Sequence, residues 1–163
     1  MKWLSKLFEK QKTENKSERY VMRNNELVAS DNSFQAWTSG SLDDMLTVAQ
    51  SDTNPIDRHF LLQSIVAETY KRREDEKYRD LCIEYSEKHI NEFQSKIASA
   101  LKDDMSGYLP RVLTFQHYAT LLTEIGNYNR AIEVCEIAIS FGLSDGTKTG
   151  FQGRIDRIKK KTL

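Results

Sequence analysis

The stretch VLTFQHYATLLTEIGNYNRAIEVCEIAISFGL, from Val112 to Leu143, decides the fold. Apolar residues recur in its first half at steps of three and four: Val112, Phe115, Ala119 and Leu122. This spacing places them on one face of a helix. Gly126 interrupts the helical pattern, and Asn127 is a residue type that caps a following helix. The stretch therefore predicts two helices joined by a short turn.

The second half of the stretch has its own apolar stripe, and helix-breaking residues bound the whole unit. The stripe consists of Ala131, Val134, Cys135, Ala138 and Ile139. Pro110 lies where the first helix would begin, and Gly142 lies where the second would end. Ala119, Ala131 and Ala138 are small at the predicted crossing of the two helices, so the backbones can approach closely. The unit is predicted to be an antiparallel helix pair.

The order of large, small and turn residues in this unit follows a known pattern. In chain order the residues are Phe115, Tyr118, Ala119, Leu122, Gly126-Asn127-Tyr128, Ala131, Cys135, Ala138 and Leu143. The succession resembles the tetratricopeptide repeat (TPR), a helix–turn–helix unit of roughly 34 residues. The resemblance implies a scaffold that binds other proteins and performs no catalysis. The alternative is an ordinary antiparallel helix pair inside another all-α bundle.

Two weaker helix pairs precede this unit. The first turns at Ser39-Gly40-Ser41, and its apolar residues are Leu27, Val28, Phe34 and Trp37, then Leu42, Met45, Leu46 and Ala49. The second begins at Asn54-Pro55, where asparagine caps the helix and proline takes its first position. It turns between Lys71 and Lys77. Residues 91–108 then extend the preceding helix and lengthen the interval to the third pair beyond one repeat period.

These patterns predict an all-α fold, in which antiparallel helix hairpins stack as a short TPR-like right-handed superhelix. Gly150–Lys161 is the predicted C-terminal capping helix, with its basic residues from Arg154 onward on a solvated outer face. No long alternating run indicates a β-sheet. The predicted organisation is an amphipathic helix at residues 1–12, a polar linker at 13–25 and a TPR-like domain at 26–163.

Composition narrows the classes of partner. Of 163 residues 29% are charged, two are prolines, and basic and acidic residues number 24 each. The zero net charge gives no general attraction to nucleic acid, and no aromatic residues interleave with the basic C-terminus. No apolar run is long enough to span a bilayer, and lysines interrupt the N-terminal apolar residues. We therefore expect a cytoplasmic protein with no nucleic-acid partner.

No residue pattern indicates catalysis, a metal or a cofactor. The histidines are His59, His89 and His117, and none combines with another histidine, a cysteine or a carboxylate at a metal-binding spacing. Cys82 and Cys135 fall on apolar helix faces, where a thiol is buried and unreactive. The run 142–150 lacks the preceding strand and the lysine position of a phosphate loop. We expect a protein that is not an enzyme.

The first twelve residues carry a second candidate contact surface. Trp3, Leu4, Leu7 and Phe8 share one side of a predicted helix, opposite Lys2, Lys6 and Lys10. A basic amphipathic helix with aromatic residues suits a membrane surface or a partner protein. This gives the alternative function, a membrane-peripheral adaptor anchored by residues 1–12. The other interpretation is that the segment docks on the repeat domain or is disordered.

In proteins with the pattern described above, the first helix of each hairpin lines a concave groove. The corresponding positions are Gln116, Thr120, Thr123 and Glu124 in the third hairpin and Ser64, Glu68, Lys71 and Arg72 in the second. Family members that grip a C-terminal carboxylate use lysine and asparagine here, and Gln116 and Thr120 depart from that. A mixed polar groove suits an extended or helical peptide, so we expect another protein or peptide as the partner. Three hairpins form a short array, and a homodimer is possible because two copies together would present a larger binding surface. The alternative is that these residues are solvated and bind nothing.

Overall fold

The computed structural model describes residues 19–23 and 25–163, which divide between Ser30 and Asp31 into two units. The second unit consists of helices and their connections, which confirms the all-α prediction at the level of fold class. The predicted helix at residues 1–12, with Trp3, Leu4, Leu7 and Phe8, lies outside the described residues. Within the described ranges, no helix combines the length and the apolar character needed to cross a bilayer.

A β-hairpin lies in the first unit. Strand β1, Tyr20–Arg23, pairs antiparallel with strand β2, Glu26–Ala29. Asn25 has a φ of 62°, a left-handed conformation that tight hairpin turns use and asparagine tolerates. The prediction that Leu27 and Val28 belong to the first helix is therefore wrong, and so is the linker assignment of residues 20–23. Strands of four residues are too short to show the long alternation that would have indicated a sheet.

The second unit begins at Asp31, five residues after the predicted boundary at residue 26. Its helices are α1 (Asn32–Ser39), α2 (Leu42–Val48), α3 (Pro55–Lys71), α4 (Glu76–Glu92), α5 (Ala98–Asp104), α6 (Leu113–Glu124), α7 (Tyr128–Ser140) and α8 (Gly150–Lys161). A π-helical turn, Phe93–Ile97, joins α4 to α5 in one long helical segment. These bounds agree with the predicted hairpin turns, the extended middle helix and the last helix.

Most of these helices begin at a side chain that accepts a hydrogen bond from the first turn. The caps of α1, α2, α3, α4 and α7 are Asp31, Ser41, Asn54, Asp75 and Asn127. Helix α6 differs, because it begins at Leu113, three residues after Pro110, and has no side-chain cap. The Leu113 amide donates instead to Oε1 of Gln63 on α3, at 2.8 Å. A tertiary contact thus replaces the local cap and fixes α6 on α3.

Successive helices pair, and the pairs share one core. Helix α1 contacts α2, α3 contacts α4, and α6 contacts α7. Helix α3 also packs on α1 and α2, α6 packs on α3 and α4, and α8 packs on α7. In the third hairpin Ala119, Ala131 and Ala138 are at most 1% exposed, so the small residues lie in the core as predicted.

A buried arginine ties α3 to its neighbours. Arg58 donates from Nε and Nη2 to the two carboxylate oxygens of Glu92, at 2.6 and 2.9 Å. Its Nη1 donates to the carbonyls of Ala49 and Ser51, at 3.1 and 2.8 Å. Because Arg58 is only 4% exposed, these bonds replace the water that its guanidinium group loses on folding. One side chain therefore links α3 to the end of α4 and to the segment after α2.

We expect Arg58→Ala to lower the free energy of unfolding by about 3 kcal/mol, because it leaves the Glu92 carboxylate without its partner. Lys71→Ala is the control on the same helix: Lys71 forms an exposed ion pair with Glu68, whose loss costs less than about 1 kcal/mol. Urea titrations followed by circular dichroism measure both changes. Similar losses in the two variants would contradict the assigned role of Arg58.

Candidate functional site

A groove of about 340 Å³ lies between α6 and α8. It is lined by Ala119, Thr120, Thr123 and Glu124 of α6 and by Arg154, Arg157, Ile158 and Lys161 of α8. Ala119 and Ile158 are buried, at 1% and 5% exposed, and form its apolar floor. Glu124, Arg157 and Lys161 are exposed and form a charged rim. An apolar floor with a few polar groups around it is typical of a binding site.

An ion pair with the preceding loop positions α8. Asp145 is 1% exposed, and its Oδ2 accepts a hydrogen bond from Nε of Arg154 at 2.6 Å. Its Oδ1 accepts from the backbone N–H and the hydroxyl of Thr147, at 2.9 and 2.6 Å. Arg154 also donates from Nη1 to the Thr120 hydroxyl of α6, at 3.1 Å. Asp145 therefore holds Arg154 where it bridges α8 to α6.

The Asp145 carboxylate keeps its charge at all physiological pH values. Burial raises the pKa of Asp145, but the hydrogen bonds from Thr147 and Arg154 and the Arg154 charge outweigh burial and bring the pKa to about 2. The next residue, Gly146, has a φ of 77°, and a Cβ there would lie 2.6 Å from Nη1 of Arg111. The backbone conformation therefore favours glycine at this turn, whereas the Arg111 contact involves the end of a flexible side chain that can move.

Three of the four positions predicted on the third hairpin line the groove: Thr120, Thr123 and Glu124. The fourth, Gln116, does not. Its Oε1 accepts hydrogen bonds from Nε and Nη2 of Arg111, at 3.0 and 2.6 Å. The face of α6 chosen from the sequence is thus largely the face that lines the groove.

The positions predicted on the second hairpin, Ser64, Glu68, Lys71 and Arg72, lie outside this groove. Glu68 pairs within α3 with Lys71 at 2.6 Å and with Arg72 at 3.8 Å. Arg72 also lines a separate cavity of about 250 Å³ beside α2 and α4. A role for these four residues in binding stays a prediction.

Side chains fill the space between α3 and α6. The rings of Tyr70 and His117 stack with their centroids 4.3 Å apart. The Arg73 guanidinium lies 4.0 Å from the centroid of the Tyr70 ring. Arg73 also donates from Nε and Nη2 to the Glu124 carboxylate, at 2.7 and 3.0 Å. The groove described above lies on the side of α6 that faces α8.

The interpretation of the basic residues of α8 as a solvated outer face is wrong for Arg154, which is bonded to the buried carboxylate of Asp145. Arg157 and Lys161 are exposed, and they line the groove with Arg154 beside Ile158. Their spacing of three and four residues does place them on one helix face. Spacing alone does not show which neighbour that face meets, and this is why the α8 side of the groove was missed.

Two histidines meet in the core, a contact that no sequence spacing indicated. His59 Nδ1 lies 3.0 Å from His89 Nε2, and His89 Nδ1 lies 2.7 Å from the Thr114 hydroxyl. All three residues are buried, and Nε2 of His59 has no hydrogen-bond partner in the described part of the chain. Among the same residues, no group of three or more histidine, cysteine or acidic side chains is placed to hold a metal. The cluster is a hydrogen-bonded chain that joins α3, α4 and α6.

Both cysteines are free and buried, as predicted. Burial raises the pKa of the Cys82 thiol, and it raises the pKa of Cys135 to about 11. The reactive form of cysteine is the thiolate, which is scarce at neutral pH when the pKa is raised. Neither side chain has the chemistry of a nucleophile at neutral pH.

Comparison with known proteins adds no family assignment to this geometry: the chain matches no protein-family model, no curated protein and no solved structure. The TPR resemblance therefore stays a prediction from residues 112–143.

The buried histidines predict a pH-dependent stability. Burial lowers the pKa of His59 to about 4 and lowers the pKa of His89 well below its usual value. In the unfolded chain both regain a pKa of about 6.5. Below that pH the unfolded chain binds more protons than the folded one, so stability is complete above pH 6.5 and falls as the pH drops towards the folded pKa.

We expect His59 alone to lower the free energy of unfolding by about 2 kcal/mol between pH 7.5 and pH 5, and His89 to add to this. Carboxylates contribute little in that window, because their unfolded pKa values lie below it. Urea titrations at the two pH values measure the change. The double variant His59→Leu, His89→Leu should flatten most of the dependence, with a residual slope from His117, whose pKa is also about 4. An unchanged slope would contradict the explanation.

The Asp145 ion pair gives a prediction for α8. Asp145→Asn removes a charged hydrogen bond, worth about 1.5–3 kcal/mol, so the α8 amides should exchange with deuterium roughly tenfold faster or more. Asp156→Asn is the matched control, because Asp156 lies on the exposed side of α8 and, among the described residues, its hydrogen bond is with Gln152 of the same helix, at 3.0 Å. Hydrogen-exchange mass spectrometry measures both. Equal exchange in the two variants would show that Asp145 does not hold α8.

Proposed function

We propose that this protein is a non-catalytic protein–protein interaction module that binds a partner segment in the groove between α6 and α8. The observation that carries the proposal is the groove of about 340 Å³, with buried Ala119 and Ile158 at its floor and exposed charges at its rim. Its size and lining suit one or two side chains of a peptide. The sequence-based choice of Thr120, Thr123 and Glu124 supports the same surface.

Binding here would need little rearrangement of the protein. The ion pair of Arg154 with Asp145 fixes α8, and the bond from Arg154 to Thr120 fixes its distance from α6. A preformed site avoids much of the entropy cost of ordering side chains on binding. A partner would place an apolar side chain on Ile158 and Ala119, and the burial of that side chain would supply most of the affinity.

We also propose that the three hairpins form a TPR-like right-handed superhelix with α8 as its cap. The order of contacts supports this: α3 packs on both helices of the first hairpin, and α6 packs on both helices of the second. The π-helical turn and α5 lie between the second and third hairpins and account for the long interval between them. In such a scaffold the first helix of a hairpin is where a partner binds, and α6 is that helix.

Selection of peptides tests the groove. A random peptide library displayed on phage is panned on the full chain, and the enriched peptides are synthesised for fluorescence anisotropy. We expect Thr123→Phe to weaken their binding by about tenfold or more, because the added ring fills the groove that Thr123 lines. Thr38→Phe is the matched control, since it adds the same ring at an exposed position on α1.

The outcome is decided by where the peptides bind. Enriched peptides that bind both phenylalanine variants equally, with amide chemical-shift changes away from α6 and α8, would contradict the proposal. Thermal melts followed by circular dichroism show whether each variant is folded before its binding is compared.

A further inference from the structure

The charges around the groove do not all have partners. Arg154 is paired with Asp145 at 2.6 Å, and Glu124 is paired with Arg73 at 2.7 Å. The Arg73 hydrogen bond lowers the pKa of Glu124, and the charges of Arg73 and of Lys161 lower it further, so this carboxylate is ionised. Its ion-pair partner is Arg73. Among the described residues that line the groove, the charges of Arg154 and Glu124 are therefore already offset by ion-pair partners.

Two cations of the rim are left. Arg157 and Lys161 are exposed, and neither takes part in an ion pair among the residues that the structure describes. Arg157 donates from Nη1 to the Thr149 hydroxyl, which is neutral, at 3.3 Å. The groove therefore presents positive charge to whatever enters it, although the chain as a whole has no net charge.

The spacing of these cations suits a protein segment. Arg157 and Lys161 are four residues apart on α8, which is about 6 Å along the helix axis, and Ile158 lies between them in the lining. Side chains four residues apart on a helix have the same separation, and alternate side chains of an extended segment are about 6.6 Å apart. Two carboxylates at either spacing can reach both cations at once.

We infer that the partner of this groove is an acidic protein segment, with two carboxylates about 6 Å apart next to one large apolar side chain. The inference rests on the proposed function and adds the chemistry of the partner to it. The carboxylates bind Arg157 and Lys161 through charge-assisted hydrogen bonds. The apolar side chain covers Ile158 and Ala119 between α8 and α6.

The shape and lining of the groove favour a protein segment over other anionic partners. Its floor, formed by the buried residues Ala119 and Ile158, lies below the charged rim, so the groove is concave, whereas a membrane surface is flat. Single-stranded nucleic acid gains much of its affinity from stacking on aromatic side chains, and the described lining of the groove contains none. A side chain from a peptide fills such a concave space.

The composition of selected peptides tests the inference. We expect the peptides that depend on the groove to be enriched in aspartate and glutamate beside leucine, isoleucine, phenylalanine or methionine. The double variant Arg157→Glu, Lys161→Glu should weaken the best peptide by about tenfold or more. Affinity for the wild type should also fall about threefold or more between 50 and 300 mM salt, because exposed charges are screened.

A matched variant separates the rim charges from the general charge of α8. Lys159→Glu, Lys160→Glu makes the same change in charge on the same helix, outside the groove lining, and should change affinity less than about threefold. Replacing the aspartates and glutamates of the best peptide with asparagine and glutamine should weaken its binding to the wild type. The loss should be as large as that caused by Arg157→Glu, Lys161→Glu with the original peptide.

Three results would overturn the inference. If neutral or basic peptides bind the wild type but not Thr123→Phe, the inference of an acidic partner is contradicted. The proposal that the groove binds a protein segment is then still supported. The absence of any peptide sensitive to Thr123→Phe would overturn both proposals. Binding to phosphatidylserine vesicles that requires Arg157 and Lys161, without acidic peptides that depend on the groove, would assign the two cations to a membrane surface.

Discussion

The ion pair between Asp145 and Arg154 is the interaction on which the groove depends. It is buried and fixed on both sides, through Thr147 in the loop and through Thr120 on α6. Without it α8 would still have an apolar face to bury, but Arg154, which bonds Thr120 of α6, would lose the carboxylate that holds it in place. The chemistry of a short loop thus determines the shape of a surface built from two helices far apart in the sequence.

Polar groups within the core specify which helices pack together. Arg58 joins α3 to Glu92 of α4, and the chain from His59 through His89 to Thr114 joins α3, α4 and α6. Each of these groups loses water on folding, and only its native neighbours replace the lost hydrogen bonds. Apolar contacts alone allow one helix to slide along another. The hydrogen bonds of Arg58, His59 and His89 form only when the helices are aligned as they are in this structure.

The parts of the structure that depend on nearby residues could be predicted from the sequence. The third hairpin is an example, because the cap at Asn127 lies within the unit that it defines. The β-hairpin was missed, since Leu27 lies in a strand too short for a recognisable period. The α8 side of the groove was also missed. Its position depends on the ion pair between Asp145 in the loop and Arg154 on α8, which helix periodicity does not show. The contact of His59 with His89 joins residues 30 positions apart, which no local pattern encodes.

The π-helical turn Phe93–Ile97 bears on how the chain can change in length. Such a turn holds one residue more than an α-helical turn, so every later side chain is rotated by about 100° relative to an uninterrupted α-helix. With that rotation Phe93, Ile97 and Leu101 are all 0% exposed. Loss of one residue within the turn, such as Gln94, would restore a regular α-helix and leave Leu101 facing the core, because the deleted residue and the lost extra residue of the turn cancel. In evolutionary terms, this segment can lose a single codon at the turn without repacking the core.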